Sequence, residues 1–228
     1  MTLLSDSSTI LGKWLLARRQ RLPLWLFLLS ILALLIARPF WITPDSLWLN
    51  IPCLLVAFGG MVIRMVTVGY TPPGAHFQTR GMYAVCRHPL ELGSFLIWLS
   101  IFAYTGVLGW MLFGLVLRSW LIEKILTTEE NALCRKFGAD YYNYACSTSA
   151  ILPLWKAWQT PEERFSWRRA LRVFNRDLLG LILAMLLISV FKGRVVSFGW
   201  TLDSFWIWTS AGTAILLFIS QIVRKLAR

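Results

Sequence analysis

The chain has 228 residues, of which 57% are hydrophobic, 14% aromatic and only 15% charged, with a formal net charge of +12. Soluble domains carry about 25% charged residues, so the composition excludes a soluble enzyme, and its apolar content excludes disorder. Nucleic-acid binding would need the basic residues gathered on a folded polar face; here they flank apolar runs, which points to an anionic membrane surface.

Charge-free apolar runs mark the expected spans of an all-α integral membrane protein. In chain order they are 22–37, 46–63, 92–117, 178–191 and 204–223. The first ends in Ala37-Arg38-Pro39, with no small-x-small cleavage site, and reads as a retained span. The third would make a single helix about 39 Å long against about 30 Å of hydrocarbon. Tyr104-Thr105-Gly106, with Gly109 soon after, interrupts it and predicts a helical hairpin over 92–122. That gives about six transmembrane helices, against five without the hairpin. With six, both termini and eighteen of the 23 Lys and Arg face the cytoplasm. With five, the positives of 122–177 fall outside, against the positive-inside rule. The run at 178–191 is short and is open to a re-entrant reading.

This divides the chain into 1–45, a basic segment with the first span; 46–153, a core with the hairpin; and 154–228, a basic surface helix with two C-terminal spans. The surface helix is expected from Thr160-Pro161-Glu162-Glu163, which has an N-cap, a proline and an acidic first turn. Arg164, Arg168, Arg169, Arg172 and Arg176 follow, suited either to anionic headgroups or to a solvated charge run. Cys53, Cys86, Cys134 and Cys146 form no C-x-x-C pair and have no His at ligand spacing, so neither a metal site nor a disulfide framework is expected. No G-x-G-x-x-G is present.

Two segments concentrate the polar chemistry. The first, 71–93, holds a Pro72-Pro73-Gly74 turn, Gly81-Met82-Tyr83, both histidines (His76 and His88) and Arg87-His88-Pro89 at the mouth of a span. An Arg-His pair there is either a binding site or a snorkelling arginine beside a loop histidine. The second, 123–144, places Leu126, Glu130, Leu133 and Phe137 on one helical face with Glu129 at its edge. Thr127-x-x-Glu130 also fits a capping box, in which Glu130 would only close a helix start. The hairpin brings both segments to one side of the membrane, where Arg-His and a carboxylate pair can converge.

The pattern Gly81-x-Tyr83-x-x-x-Arg87-His88-Pro89-x-x-x-Gly93, followed by Glu129-Glu130-x-x-Leu133-x-x-x-Phe137-Gly138-x-x-Tyr141-x-x-Tyr144, resembles the isoprenylcysteine carboxyl methyltransferase family and the related phospholipid methyltransferases. The resemblance covers roughly 50–153. It implies a membrane-embedded enzyme using S-adenosylmethionine, with Tyr83, Arg87, His88, Pro89, Glu91, Gly93, Glu129 and Glu130 binding the cofactor and Arg87 and Glu130 catalytic. Glu91 departs from the family, which usually has Tyr there; its carboxylate can favour the cationic sulfonium or impair transfer, which leaves a catalytically inactive relative open.

The expected methyl acceptor is lipid-borne. An oxyanion, such as the carboxylate of isoprenylcysteine or a lipid phosphate, needs no base, whereas a phospholipid amine would require Glu130, Glu91 or His88 to take a proton. Thr67-Val68-Gly69-Tyr70-Thr71-Pro72 resembles a bacterial subgroup that methylates a lipid A phosphate, implying a bacterial inner membrane. The competing class is a non-enzymatic membrane protein such as a transporter, although no inverted repeat is visible.

Overall fold

The apolar runs fold as helices because a backbone with no water to bond must satisfy itself. The computed structural model describes residues 12, 14–15, 17–18, 21–37, 47–72, 77–161, 163–197 and 204–226. The described helices are α1 (Leu22–Ile36), α2 (Leu47–Tyr70), α3 (Met82–Val85), α4 (Pro89–Tyr104), α5 (Leu108–Phe137), α6 (Ala139–Ser147), α7 (Trp167–Ser197) and α8 (Ser204–Leu226). Arg38, the Pro73-Gly74 turn, His76, Glu162 and residues 1–11 of the basic N-terminal segment lie outside the described residues.

Three stretches are long and apolar enough to cross a membrane, Asn50–Tyr70, Trp167–Gly193 and Phe205–Ile222, and Leu22–Ile36 and Pro89–Tyr104 are shorter apolar helices. The exterior carries large apolar side chains, among them Trp25 on α1, Phe113 and Val116 on α5, Leu183 on α7 and Trp208 and Phe218 on α8. Soluble proteins rarely expose such a continuous apolar surface; a hydrocarbon surround accounts for it.

The interior is organised around α2, which packs on α4 and α7. Gly60 and Gly93 set the α2–α4 distance: a Cβ on Gly93 would lie 2.6 Å from the Gly60 carbonyl oxygen and 2.5 Å from Arg64 Cγ. Small residues at such a seam let two backbones approach closely. Interior hydroxyls are bonded, Ser100 Oγ donating to the Cys53 carbonyl at 2.6 Å and Trp110 Nε1 to Ser30 Oγ at 3.0 Å.

The expected hairpin is present. α4 ends at Tyr104, Gly106 turns the chain at φ +73°, and α5 departs at Leu108. Thr105 Oγ1 closes the corner on the Phe102 carbonyl at 2.7 Å. At the same end, Lys192 of α7 donates to the Tyr104 carbonyl at 3.2 Å.

Two expectations are corrected. No helix starts at Thr160: residues 163–166 are non-helical and α7 begins at Trp167. The local start signal loses to tertiary bonds. Gly81 N–H donates to the Gln159 carbonyl at 3.0 Å and Ser166 N–H to the Gly69 carbonyl at 2.9 Å, while Phe165 packs edge-on against Tyr70 with ring centres 4.9 Å apart. Arg168, Arg169, Arg172 and Arg176 therefore belong to the first turns of α7, continuous with the run at 178–191. That run is the middle of a 31-residue helix, so the helix there is not short.

The second run also continues past Ile63 to Tyr70, because Arg64 is neutralised where it stands. Its Nε lies 2.5 Å from Asp177 Oδ2 on α7, and its Nη1 donates to the Leu90 carbonyl at 3.1 Å and to Ser94 Oγ on α4.

Candidate functional site

Pro89 opens α4 with His88 as its N-cap at φ −126° and ψ 60°, outside the helical region that residues before proline avoid, so Arg87 and His88 stand just outside the helix. Their backbone is fixed from afar. Arg87 N–H donates to the Ser149 carbonyl at 2.8 Å, His88 N–H to Ala150 at 3.1 Å, and Leu154 N–H to Val85 at 3.0 Å. Tyr144 OH adds a bond to the Tyr83 carbonyl at 2.7 Å.

α5 continues well beyond its apolar part, to Phe137, and carries the carboxylate pair to this corner. Glu130 Oε1 lies 2.9 Å from His88 Nε2 and 3.4 Å from Arg87 Nη2. The two sequence segments thus converge across the hairpin. The capping-box alternative is overturned: Thr127 lies in mid-helix and its hydroxyl donates back to the Glu123 carbonyl at 2.7 Å. Gly138, at φ +54°, ends α5 and turns the chain into α6, whose Tyr141 and Tyr144 share a face. Phe77 completes an aromatic group, stacking on Phe137 at 5.1 Å and meeting Tyr144 at 5.4 Å and Tyr141 at 5.8 Å between ring centres.

These elements enclose a cavity of about 220 Å³. Pockets that enclose a drug-sized ligand run to roughly 300–1,000 Å³, so this one surrounds one end of such a ligand. Tyr83, Arg87, His88, Pro89, Leu90 and Glu91 form one wall, Glu129 and Leu133 a second, Tyr141 and Tyr144 a third, with Thr71, Phe77 and Gln78 beside them. Of the residues singled out in the sequence, Tyr83, Arg87, His88, Pro89, Glu91 and Glu129 line the cavity. Glu130 is not in the lining; it holds Arg87 and His88. Gly93 is not in the lining either, and faces Gly60 and Arg64 as a packing glycine. Glu91 is buried and pairs with Arg118 Nη2 on α5 at 3.1 Å.

Sequence reasoning did not assign Phe77, Tyr141 and Tyr144 to the site, although the i, i+3 spacing of the two tyrosines puts their rings on one helix face. Arg118 was also missed, because its partner lies in another helix.

Two donors of the residues around the cavity are left without acceptors. Arg87 Nε and Tyr141 OH are buried with no hydrogen-bond partner among the described residues. A buried donor without a partner is costly, and both atoms suit an anionic or carbonyl group brought by a ligand. Burial, reinforced by the Glu130 carboxylate, pushes the Tyr141 phenol up to about 12, and burial raises Tyr144 as well. Both remain neutral donors at ordinary pH.

Residues 70–148 match a family described as "Protein of unknown function (DUF1295)". Every residue lining the cavity lies within that match. No curated protein and no solved structure matches the chain.

Proposed function

We propose that this chain is a membrane-embedded S-adenosylmethionine-dependent methyltransferase acting on a lipid-borne oxyanion. The observation that carries this reading is the convergence of Arg87, His88 and Glu130 from two segments of a resembling motif beside a cavity with orphaned donors.

The residues present fit the cofactor by their chemistry. Arg87 Nε and Tyr141 OH offer donors for its carboxylate and Glu129 offers an acceptor for its ammonium, so the cavity suits the amino-acid end of the cofactor. When bound, it supplies a methyl group on a sulfonium: an acceptor lone pair bonds the methyl carbon while the carbon–sulfur bond breaks, its electrons passing to sulfur. The protein then has mainly to align the partners and exclude water. Glu130 does this indirectly, fixing Arg87 and His88 as a positioning residue. An oxyanion acceptor is already nucleophilic, so no side chain has to remove a proton.

In this account the chain crosses a bacterial inner membrane about six times, with both termini and the cavity on the cytoplasmic side. The arginines opening α7 lie against anionic headgroups. Calorimetry of the purified, folded protein with S-adenosylmethionine tests the proposal: saturable binding is expected, and its absence overturns the reading.

A further inference from the structure

Two ion pairs meet the cavity with opposite polarity. In one pair Arg87 lines the cavity while its carboxylate partner, Glu130, 3.4 Å away, does not. In the other, on the same wall, Glu91 lines the cavity while its cationic partner, Arg118, 3.1 Å away, does not. Glu91 and Arg118 are 6% and 7% exposed, so little water screens them. An ion pair is neutral overall but keeps a dipole, and in a poorly polarisable surround that dipole acts at short range with little attenuation. The cavity wall therefore carries the cationic member of one pair, Arg87, and the anionic member of the other, Glu91, and Glu129 is a further acidic residue of the lining.

We infer that Glu91, held by Arg118, reads the charge of the ligand and favours a sulfonium over the neutral thioether left when the methyl group departs. The inference rests on the methyltransferase reading and extends it to product release. Once the positive charge on sulfur is lost, the attraction to the Glu91 carboxylate goes with it, and the spent cofactor is held less tightly than the fresh one. Arg118 is a positioning residue in this scheme: it neutralises Glu91 from behind without presenting its own charge to the cavity. If the pair were only a staple between α4 and α5, removing it would affect all ligands alike.

The test compares affinities of the full-length purified protein for S-adenosylmethionine, for its demethylated thioether product, and for an analogue with an ammonium in place of the sulfonium. Glu91→Gln alone would strand a buried guanidinium, so the main variant is the double replacement Glu91→Gln with Arg118→Gln, which keeps a neutral hydrogen-bonding pair. A second variant, Glu91→Arg with Arg118→Glu, keeps the ion pair and reverses it. In the double variant the preference for the two cationic ligands over the thioether should fall about tenfold, close to 1.4 kcal/mol, with thioether affinity nearly unchanged. In the reversed variant the preference should invert. Equal loss for all three ligands, or no change in the ratio, would overturn the inference and leave the pair a staple. Failure of the wild-type protein to bind any of them would instead overturn the methyltransferase reading. If the double variant does not fold, the reversed variant decides alone.

Discussion

Replacing Arg87 by lysine preserves its charge and tests its shape. In the structure Nη2 faces Glu130 Oε1 at 3.4 Å, Nη1 donates to the Ala145 carbonyl at 3.2 Å, and Nε is buried without a partner. A lysine ammonium can replace one of these contacts but cannot hold Glu130 and Ala145 while also offering a donor to a ligand. One charge-assisted hydrogen bond is worth roughly 1.5–3 kcal/mol, which predicts a loss of about ten- to a hundredfold in kcat/KM for Arg87→Lys. The lost bond to Ala145 comes from the same charged group and should lower stability by a comparable roughly 1.5–3 kcal/mol. The assay is transfer of a labelled methyl group from S-adenosylmethionine to a lipid extract by protein in bilayer discs, alongside thermal unfolding. Snorkelling requires only length and charge. Near-normal turnover in the lysine variant would therefore refute the ligand-clamping role, and wild-type insertion with lost turnover would support it.

Glu130→Gln keeps a polar contact to His88 but removes the charge that holds Arg87; it should weaken S-adenosylmethionine binding, and unchanged affinity by calorimetry would remove Glu130 from the site. Glu129→Gln should weaken binding as well, since Glu129 lines the cavity, and unchanged affinity would remove it from the binding role. Gly93→Ala would drive a methyl group into the Gly60 carbonyl across the α2–α4 seam and should cost about 1–3 kcal/mol of stability; an unaltered thermal transition would contradict that packing. Because burial pushes the Tyr141 phenol from 10 up to about 12, the folded state keeps a proton that the unfolded chain has released. Its contribution is complete below pH 10 and is lost between pH 10 and 12. Denaturation measured across that window should show a smaller decline in Tyr141→Phe, and identical profiles would refute the assignment.

Charge-free runs located the apolar helices and the hairpin because hydrocarbon tolerates few charges, and the break at Tyr104-Thr105-Gly106 was visible as local turn chemistry. The sequence could not reveal what neutralises a charge inside a run. The partners of Arg64 and Arg118 are Asp177 and Glu91, which come from other helices, so the end of the second run was placed at Ile63 rather than Tyr70. The helix expected at Thr160 fails for a related reason: capping signals are local, whereas Gln159 and Ser166 are engaged by Gly81 and Gly69. The Arg-His and Glu-Glu motifs were legible because their chemistry is unusual beside a membrane. Phe77, Tyr141 and Tyr144 were not assigned to the site because aromatic residues in so aromatic a chain carry little positional information. Gly93 was placed in the site by resemblance, yet it serves the helix seam.

The central claim, methyl transfer to a membrane lipid, is tested most directly by growing cells with methyl-labelled methionine, with and without this chain, and surveying their lipids by mass spectrometry. The account predicts a lipid that gains the mass of one labelled methyl group only when the wild-type chain is present, and loses it with Arg87→Lys. An identical lipid profile with and without the chain, in cells shown to contain the folded protein, would contradict it.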